Sequence, residues 1–552
     1  MNKKIVILIP ILIAISIAIG MLMGNMLKTN SNSGFSGLAM SQPNKISTIL
    51  DLIDHGYVDS VNTGEIVEET IPEILKKLDP HTTYIPASNM QEVTEEMQGN
   101  FSGIGIQFSL MEDTVRVIEV ISGGPSSQVG IQPGDRIVTV NDSLIAGVGK
   151  ESNDILHLLR GEKNSKVRVG VLRKGEDDQL DFEITRGDIP LFSVEVTYMI
   201  DPETGFIKIS RFANTTYKEF VEGMTQLNNE GAKRVIIDLR GNPGGSLMGV
   251  LQMLDEVLNK GDAMLYTEGK NQPRKTYNAS GKGSFGEVEL YVMIDEFSAS
   301  ASEIFAGALQ DNDRGIVIGR RSFGKGLVQE QIPLNDGSAL RLTIARFYTP
   351  SGRCIQSPYE DGNEEYYNHI YERFHNMEQL VADSIHFNDS LKYTTKGGRI
   401  VYGGGGIMPD FFVPVDTTGN SEYYSKLYRR GLIYSFAYMY ADQHRAELSE
   451  FKNADEFDVY LEKHHAIDDF VKYAQEKGVQ KDAAGLKESG IIINTQLKAY
   501  IARNIIGDTG FYPIIQKIDK TLLRAIEISR QDLLVQNLIE AADSTMNHTA
   551  QK

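Results

Sequence analysis

Cysteine is almost missing from this chain: 552 residues include one, Cys354. No intrachain disulfide can form, metal sites built on cysteine clusters are excluded, and the fold must rest on its hydrophobic cores. Basic residues are also short, with 55 Lys and Arg against 74 Asp and Glu, a formal charge of -19 and a pI near 5.1. That field repels phosphate backbones, and no basic stripe interrupts it, so nucleic acid is excluded as a partner. With 41% hydrophobic and 23% charged residues, the composition fits neither wholesale disorder nor a multi-span membrane protein. The length exceeds what one core can serve and predicts about three to four domains.

One long uncharged run is present, Ile5 to Leu27, preceded by Lys3 and Lys4. As a helix it would reach roughly 35 Å at about 1.5 Å per residue, enough for a hydrocarbon core of about 30 Å. The positive flank predicts a cytoplasmic N-terminus, so residues 1–28 are expected to be a single-pass signal anchor in the cytoplasmic membrane, with the rest on the periplasmic side. A long cleaved signal peptide is the alternative, since Gly37-Leu38-Ala39 offers small residues for cleavage. Residues Thr29 to Gln42 are rich in Ser, Asn and Gly and read as a tether.

Apolar spacing from Ile46 to Met97 is helical and completes an N-terminal region of 29–98. Within it His81 sits in the turn Leu78-Asp79-Pro80-His81-Thr82 and reads as a turn or core residue, because no partner cluster accompanies it. The period then changes to strands around Gly103-Ile104-Gly105-Ile106 and Gly130-Ile131-Gln132-Pro133-Gly134-Asp135-Arg136-Ile137. From Phe206 strands and helices alternate, which argues an α/β sheet with its chemistry on loops at strand ends. Beyond Pro414 the spacing is helical, over Tyr424 to His444, Ala454 to Lys477 and Leu497 to Ile505. Dimerisation or substrate guarding is the role expected of that C-terminal domain, 416–552.

The strand Leu290 to Ile294 runs into Phe297-Ser298-Ala299-Ser300-Ala301-Ser302-Glu303, a small-residue elbow that opens a helix. A serine there is exposed at a sheet edge beside unpaired backbone N–H groups, the position of a nucleophile. Helix phase favours Ser300, with Ser298 and Ser302 as alternatives. None of the ten histidines falls in a segment placed near the elbow. Lys325, in Ser322-Phe323-Gly324-Lys325-Gly326-Leu327-Val328-Gln329, is the remaining base, and it needs burial to be neutral at working pH. In an extended strand Gln329 faces the same side as Lys325 and can orient its amine. Gly319 to Lys325 fits the first part of a phosphate-binding loop, but Gly326 stands where that loop needs Ser or Thr, and no GxSxG elbow marks a lipase-like hydrolase. Asp238 and Arg240 read as a structural ion pair.

These motifs closely resemble the C-terminal processing (tail-specific) peptidases, and the segment from Phe101 to Gly187 resembles a PDZ domain. The resemblance implies a PDZ domain at 99–187, inserted between the helical N-terminal region and an α/β protease core of the ClpP/crotonase-like kind at 188–415. It also implies a serine endopeptidase with Ser300 as nucleophile, Lys325 as base, Gln329 as the lysine's partner and a supporting Glu303. The oxyanion hole would use the N–H groups of Ala301 and Gly245, the latter chosen over Gly244. Gly103, Ile104, Gly105 and Ile106 would receive the C-terminal tails of exported protein substrates as an added strand. No cofactor or metal is implied. The Tyr- and Asn-rich stretch between Gln356 and Arg399 reads as an insertion, and the sequence names no adaptor or activator.

Overall fold

The computed structural model describes residues 44–121, 123–381 and 388–531. The chain divides into two units between Glu73 and Ile74. In the first, the helix Lys45–Gly56 starts at Asn44, whose side chain accepts from the Ile46 N–H, and a second helix opens at Thr63. The Ile5 to Leu27 run and the tether lie outside the described residues. The expected membrane location is corrected: among the described residues no helix is long and apolar enough to cross a membrane. The longest of them, Ala483–Ile506, carries Lys487, Glu488, Lys498 and Arg503, charges that a bilayer core would reject.

In the second unit the strands Ile106–Met111, Thr114–Val120, Arg136–Val140, Lys166–Leu172 and Leu180–Thr185 pair in that order, with Ser143–Leu144 beside Arg136–Val140. Alternation puts Val115, Val117, Val167, Val169 and Val171 on one face, where they bury Ile155 and Leu159 of the helix Ser152–Leu159. The chain enters and leaves this domain through one ribbon, Asn100–Gly103 antiparallel to Gly187–Pro190.

The next sheet orders its strands as Val194–Asp201, Thr204–Ile209, Arg234–Asp238, Glu289–Ile294, Gly315–Gly319 and Phe411–Phe412, all parallel after the first pair. Its strands read as continuous apolar runs because both faces are covered. On one face Ile237, Val292 and Val317 meet the helices Thr216–Glu230, Leu247–Val257 and Ala301–Asp311. On the other, Ile236, Met293 and Ile316 meet Leu522, Ala525 and Ile528 of the helix Lys520–Arg530. That last helix is fastened by Asp519, its N-cap, which accepts from Arg240 at 2.6 Å while Arg240 also donates to Asp238.

A smaller sheet stands beside it, with Ala339–Tyr348 paired to Thr83–Ile85, Ala263–Gly269 and Leu327–Pro333. Thr83–Ile85 lies in the stretch whose spacing read as helical. Pro80 and Pro86 bracket it, and Thr83 and Ile85 are β-branched, so a strand prevails. Within the expected insertion the chain forms the helix Asn363–His375 and the strand Lys392–Thr394, which pairs with Ile400–Tyr402 just beyond it. The C-terminal helices bury Leu427, Phe436, Phe457, Phe470 and Leu497 in a separate core. Two of the expected long helices are each broken in two, at Gly431 (φ 62°) and at His465 (φ 53°).

Candidate active site

The parallel strand Glu289–Ile294 ends in a loop that its own polar groups pin down. Asp295 accepts from the N–H groups of Gly241 and Phe297, and the Ser298 hydroxyl donates to the Leu239 carbonyl at 2.8 Å. Ser302 donates to the Asn242 carbonyl, so both alternative serines are buried and committed to backbone. Ser300 alone of the three lines a cavity, at the N-terminus of the helix Ala301–Asp311. Its backbone has φ 54° and ψ -111°, a conformation that costs roughly 1–3 kcal/mol in a non-glycine residue and must be held by its surroundings.

Glu303 holds it. This fully buried carboxylate accepts from Ser300 N–H at 2.8 Å and Lys325 N–H at 2.9 Å on Oε2, and from the Ser322 hydroxyl at 2.6 Å and Gly324 N–H at 2.7 Å on Oε1. One oxygen therefore ties the backbone of the serine elbow to that of the lysine loop. Burial pushes the Glu303 carboxyl up to about 7, against the four donors, which act to lower it.

Lys325 lines the same cavity, and its Nζ donates to Gln329 Oε1 at 3.1 Å. Burial holds the amine below the usual lysine value; the Arg341 cation lowers it further, while Glu303 and Asp79 act in the opposite sense. The Gln329 amide is oriented in turn, because its Nε2 donates to the His81 carbonyl. Sequence spacing paired Gln329 with Lys325 but left His81 in a turn with no role. The turn itself is built by Asp79, which accepts from His81 N–H, from Thr82 N–H and from the Thr82 hydroxyl.

The cavity, about 740 Å³, is also lined by Gly244, Gly245, Ala301, Ile304, Leu327 and Phe347. Gly245 sits at φ 140°, where an added Cβ would lie 2.1 Å from the Phe212 carbonyl, and one on Gly244 would meet the Ala299 carbonyl at 2.7 Å, Ser300 Cβ at 2.8 Å and Ala301 N at 2.9 Å. Only glycines allow that turn to lie against the elbow. The N–H groups of Gly245 and Ala301 have no acceptor among the described residues, which leaves two donors free at the cavity. Gly103, Ile104, Gly105 and Ile106 are elsewhere, lining a second cavity of about 50 Å³ with Phe108, Leu156, Leu159 and Arg160.

Comparison with known proteins agrees with this architecture. Residues 203–361 match peptidase family S41, 102–184 match the PDZ domain and 423–507 match a family of unknown function. The carboxy-terminal processing protease CtpB of Bacillus subtilis (strain 168) is 32% identical over 316 residues, 56% of this chain and 65% of that protein. A carboxy-terminal-processing protease of Bartonella bacilliformis is 31% identical over 339 residues, 61% of this chain and 76% of that one. Among solved structures, the photosystem II D1 C-terminal processing protease shares 26% identity with a TM-score of 0.32, covering 56% of this chain and 89% of that one. Fold and matches define the class, PDZ-bearing serine proteases. Within it, the chain belongs to the carboxy-terminal processing protease family.

Proposed function

We propose that this chain is a serine endopeptidase that cleaves proteins presenting a C-terminal tail, with Ser300 as nucleophile and Lys325 as general base. The reading rests above all on one arrangement: a partly buried amine, held by Gln329, shares a cavity with Ser300 and with the two free N–H groups of Gly245 and Ala301. Neutral Lys325 takes the Ser300 proton as Oγ attacks the scissile carbonyl, and the two N–H groups receive the oxyanion. The C–N bond then breaks, with the ammonium returning its proton to the leaving amine. Water, deprotonated by the same lysine, hydrolyses the ester and frees Ser300. Nζ makes no hydrogen bond to Ser300 among the described residues, so the lysine must swing toward it within the cavity when substrate is bound.

Tail capture is assigned to the second cavity. The strand Ile106–Met111 is a terminal strand of its sheet, so a peptide can add alongside it with its carboxylate at the Gly103–Ile106 turn.

A fluorophosphonate probe should label the protein at Ser300, and Ser300→Ala should abolish both labelling and casein cleavage; labelling elsewhere, or none, would favour a peptide-binding scaffold without catalysis. The pH profile is the second expected result. Glu303 takes a proton below about pH 7, and falling pH charges Lys325, so the rate should climb with rising pH. Arg341→Gln removes a cation that depresses the lysine, so the acid limb should move to higher pH; an unmoved limb argues against Lys325 as the titrating base.

A further inference from the structure

The helix Asn363–His375 lies in a stretch whose sequence suggested no function, yet it touches the base's surroundings from two sides. Tyr366, 3% exposed, shares a hydrogen bond of 3.0 Å with His81 Nε2, and its neighbour Tyr367 donates to the Pro80 carbonyl at 3.1 Å. Two turns of helix later, the guanidinium of buried Arg373 donates to the carbonyls of Ser322 at 3.0 Å and Arg321 at 2.8 Å, on the loop that leads to Lys325. The rings of Tyr366, His81 and Phe323 close a triangle with centroids 5.3, 6.3 and 6.2 Å apart. Phe323 is two residues before the lysine.

These contacts form a chain with a direction. The His81 carbonyl accepts from Gln329 Nε2, which leaves only Gln329 Oε1 for the lysine; a flipped amide would set oxygen against oxygen at His81. Tyr366 holds the His81 ring and hence the turn that carries this carbonyl. The His81 ring of this triangle lies near enough to Lys325 for the amine's charge to act on it, and desolvation is the largest influence on Lys325.

On the reading of Lys325 as base, we infer that the helix Asn363–His375 is a positioning element for that base: Tyr366 fixes His81, His81 fixes Gln329, and Arg373 fixes the loop that carries the lysine. Neither Tyr366 nor Arg373 lines the cavity shared by Ser300 and Lys325. Both act through the geometry of Lys325, which is faced besides by Glu303, Asp79 and Arg341.

The test uses the full chain with casein as substrate, a fluorophosphonate probe and thermal melting. Tyr366→Phe removes the hydroxyl and keeps the ring, and kcat should fall roughly three- to tenfold with KM unchanged. Tyr366→Ala removes the ring that packs on His81 and Phe323 too, so kcat should fall further and the acid limb of probe labelling should rise by about half a pH unit or more as the surroundings of the amine loosen and admit water. Arg373→Ala should lower kcat in the same way, while Tyr371→Ala, on an exposed position of the same helix, should match the parent protein. A purely structural helix would lower the melting temperature and leave the limb where it was. An unshifted limb in Tyr366→Ala, or parental kcat in Tyr366→Phe, overturns the inference; if the alanine variant does not fold, the phenylalanine variant decides. Lys325→Ala, run alongside, separates the two levels: if it still cleaves, the base assignment itself fails, whereas an inactive Lys325→Ala with an unshifted Tyr366→Ala sinks only the positioning role.

Discussion

Lys325→Ala should lower casein cleavage by about 10⁴-fold or more while the protein folds and melts as before. The magnitude follows from removing one member of a catalytic unit, where single losses approach the loss of the whole. Stability should be spared for a separate reason. Burial holds the folded lysine below its usual value, so its charged form is less favourable in the folded chain than in the unfolded one. That penalty builds as pH falls from the ordinary lysine value of 10.5 toward the lower folded one, and deleting the amine removes it, so the melting temperature at neutral pH should stay level or rise. Lys325→Arg is the stricter variant, because a guanidinium fills the space and never deprotonates; it too should be inactive. Residual cleavage within tenfold of the parent in either variant would end the proposed mechanism.

Glu303→Gln should lower kcat by about 10²-fold, while opposing terms keep the net change in stability to about 3 kcal/mol or less. Each carboxylate oxygen accepts two donors, so either orientation of an amide turns an NH₂ group toward two of them. If Nε2 takes the place of Oε2, the N–H groups of Ser300 and Lys325 are driven apart, and a displacement near 1 Å at the reacting groups costs about 100-fold. The stability terms oppose one another. Two unmet buried donors cost roughly 2–6 kcal/mol, while relief from burying a carboxylate raised from 4.5 to about 7 returns about 3 kcal/mol above neutral pH. The sign of the latter is fixed: a carboxyl raised on folding favours the folded state below its unfolded value, and that advantage is lost as pH climbs from 4.5 to about 7. Losing the Glu303 charge also removes an influence that raises Lys325, so the remaining activity should have its acid limb at lower pH than the parent. A variant with parental kcat would show that the shared oxygen is not what aligns the two loops.

Much of the fold was legible because it is written at short range. Strands and helices do alternate from Phe206 onward, and the small-residue run ending at Ser300 does open a helix. Where local signals conflicted, expectation slipped: the continuous helical spacing past Pro414 hid the breaks at Gly431 and His465, and the helical reading of 46–97 overrode the strand at Thr83–Ile85. The membrane location was drawn from a segment outside the described residues and finds no spanning helix within them.

What the sequence determined by itself was the kind and order of elements and the identity of a serine, a lysine and a glutamine at suitable spacings, since periodicity and helix-start chemistry act over a few residues. Only the tertiary structure decided what surrounds the amine. Gln329 reaches His81 across 248 positions and Tyr366 reaches it across 285, and the Lys520–Arg530 helix returns to cover a sheet built from residues 194–412. Such contacts leave no periodic trace, because a hydrogen bond or a packed ring depends on where two distant backbones are carried. The same separation explains why the burial that depresses Lys325, and the four donors that hold Glu303, appear only once the chain has folded.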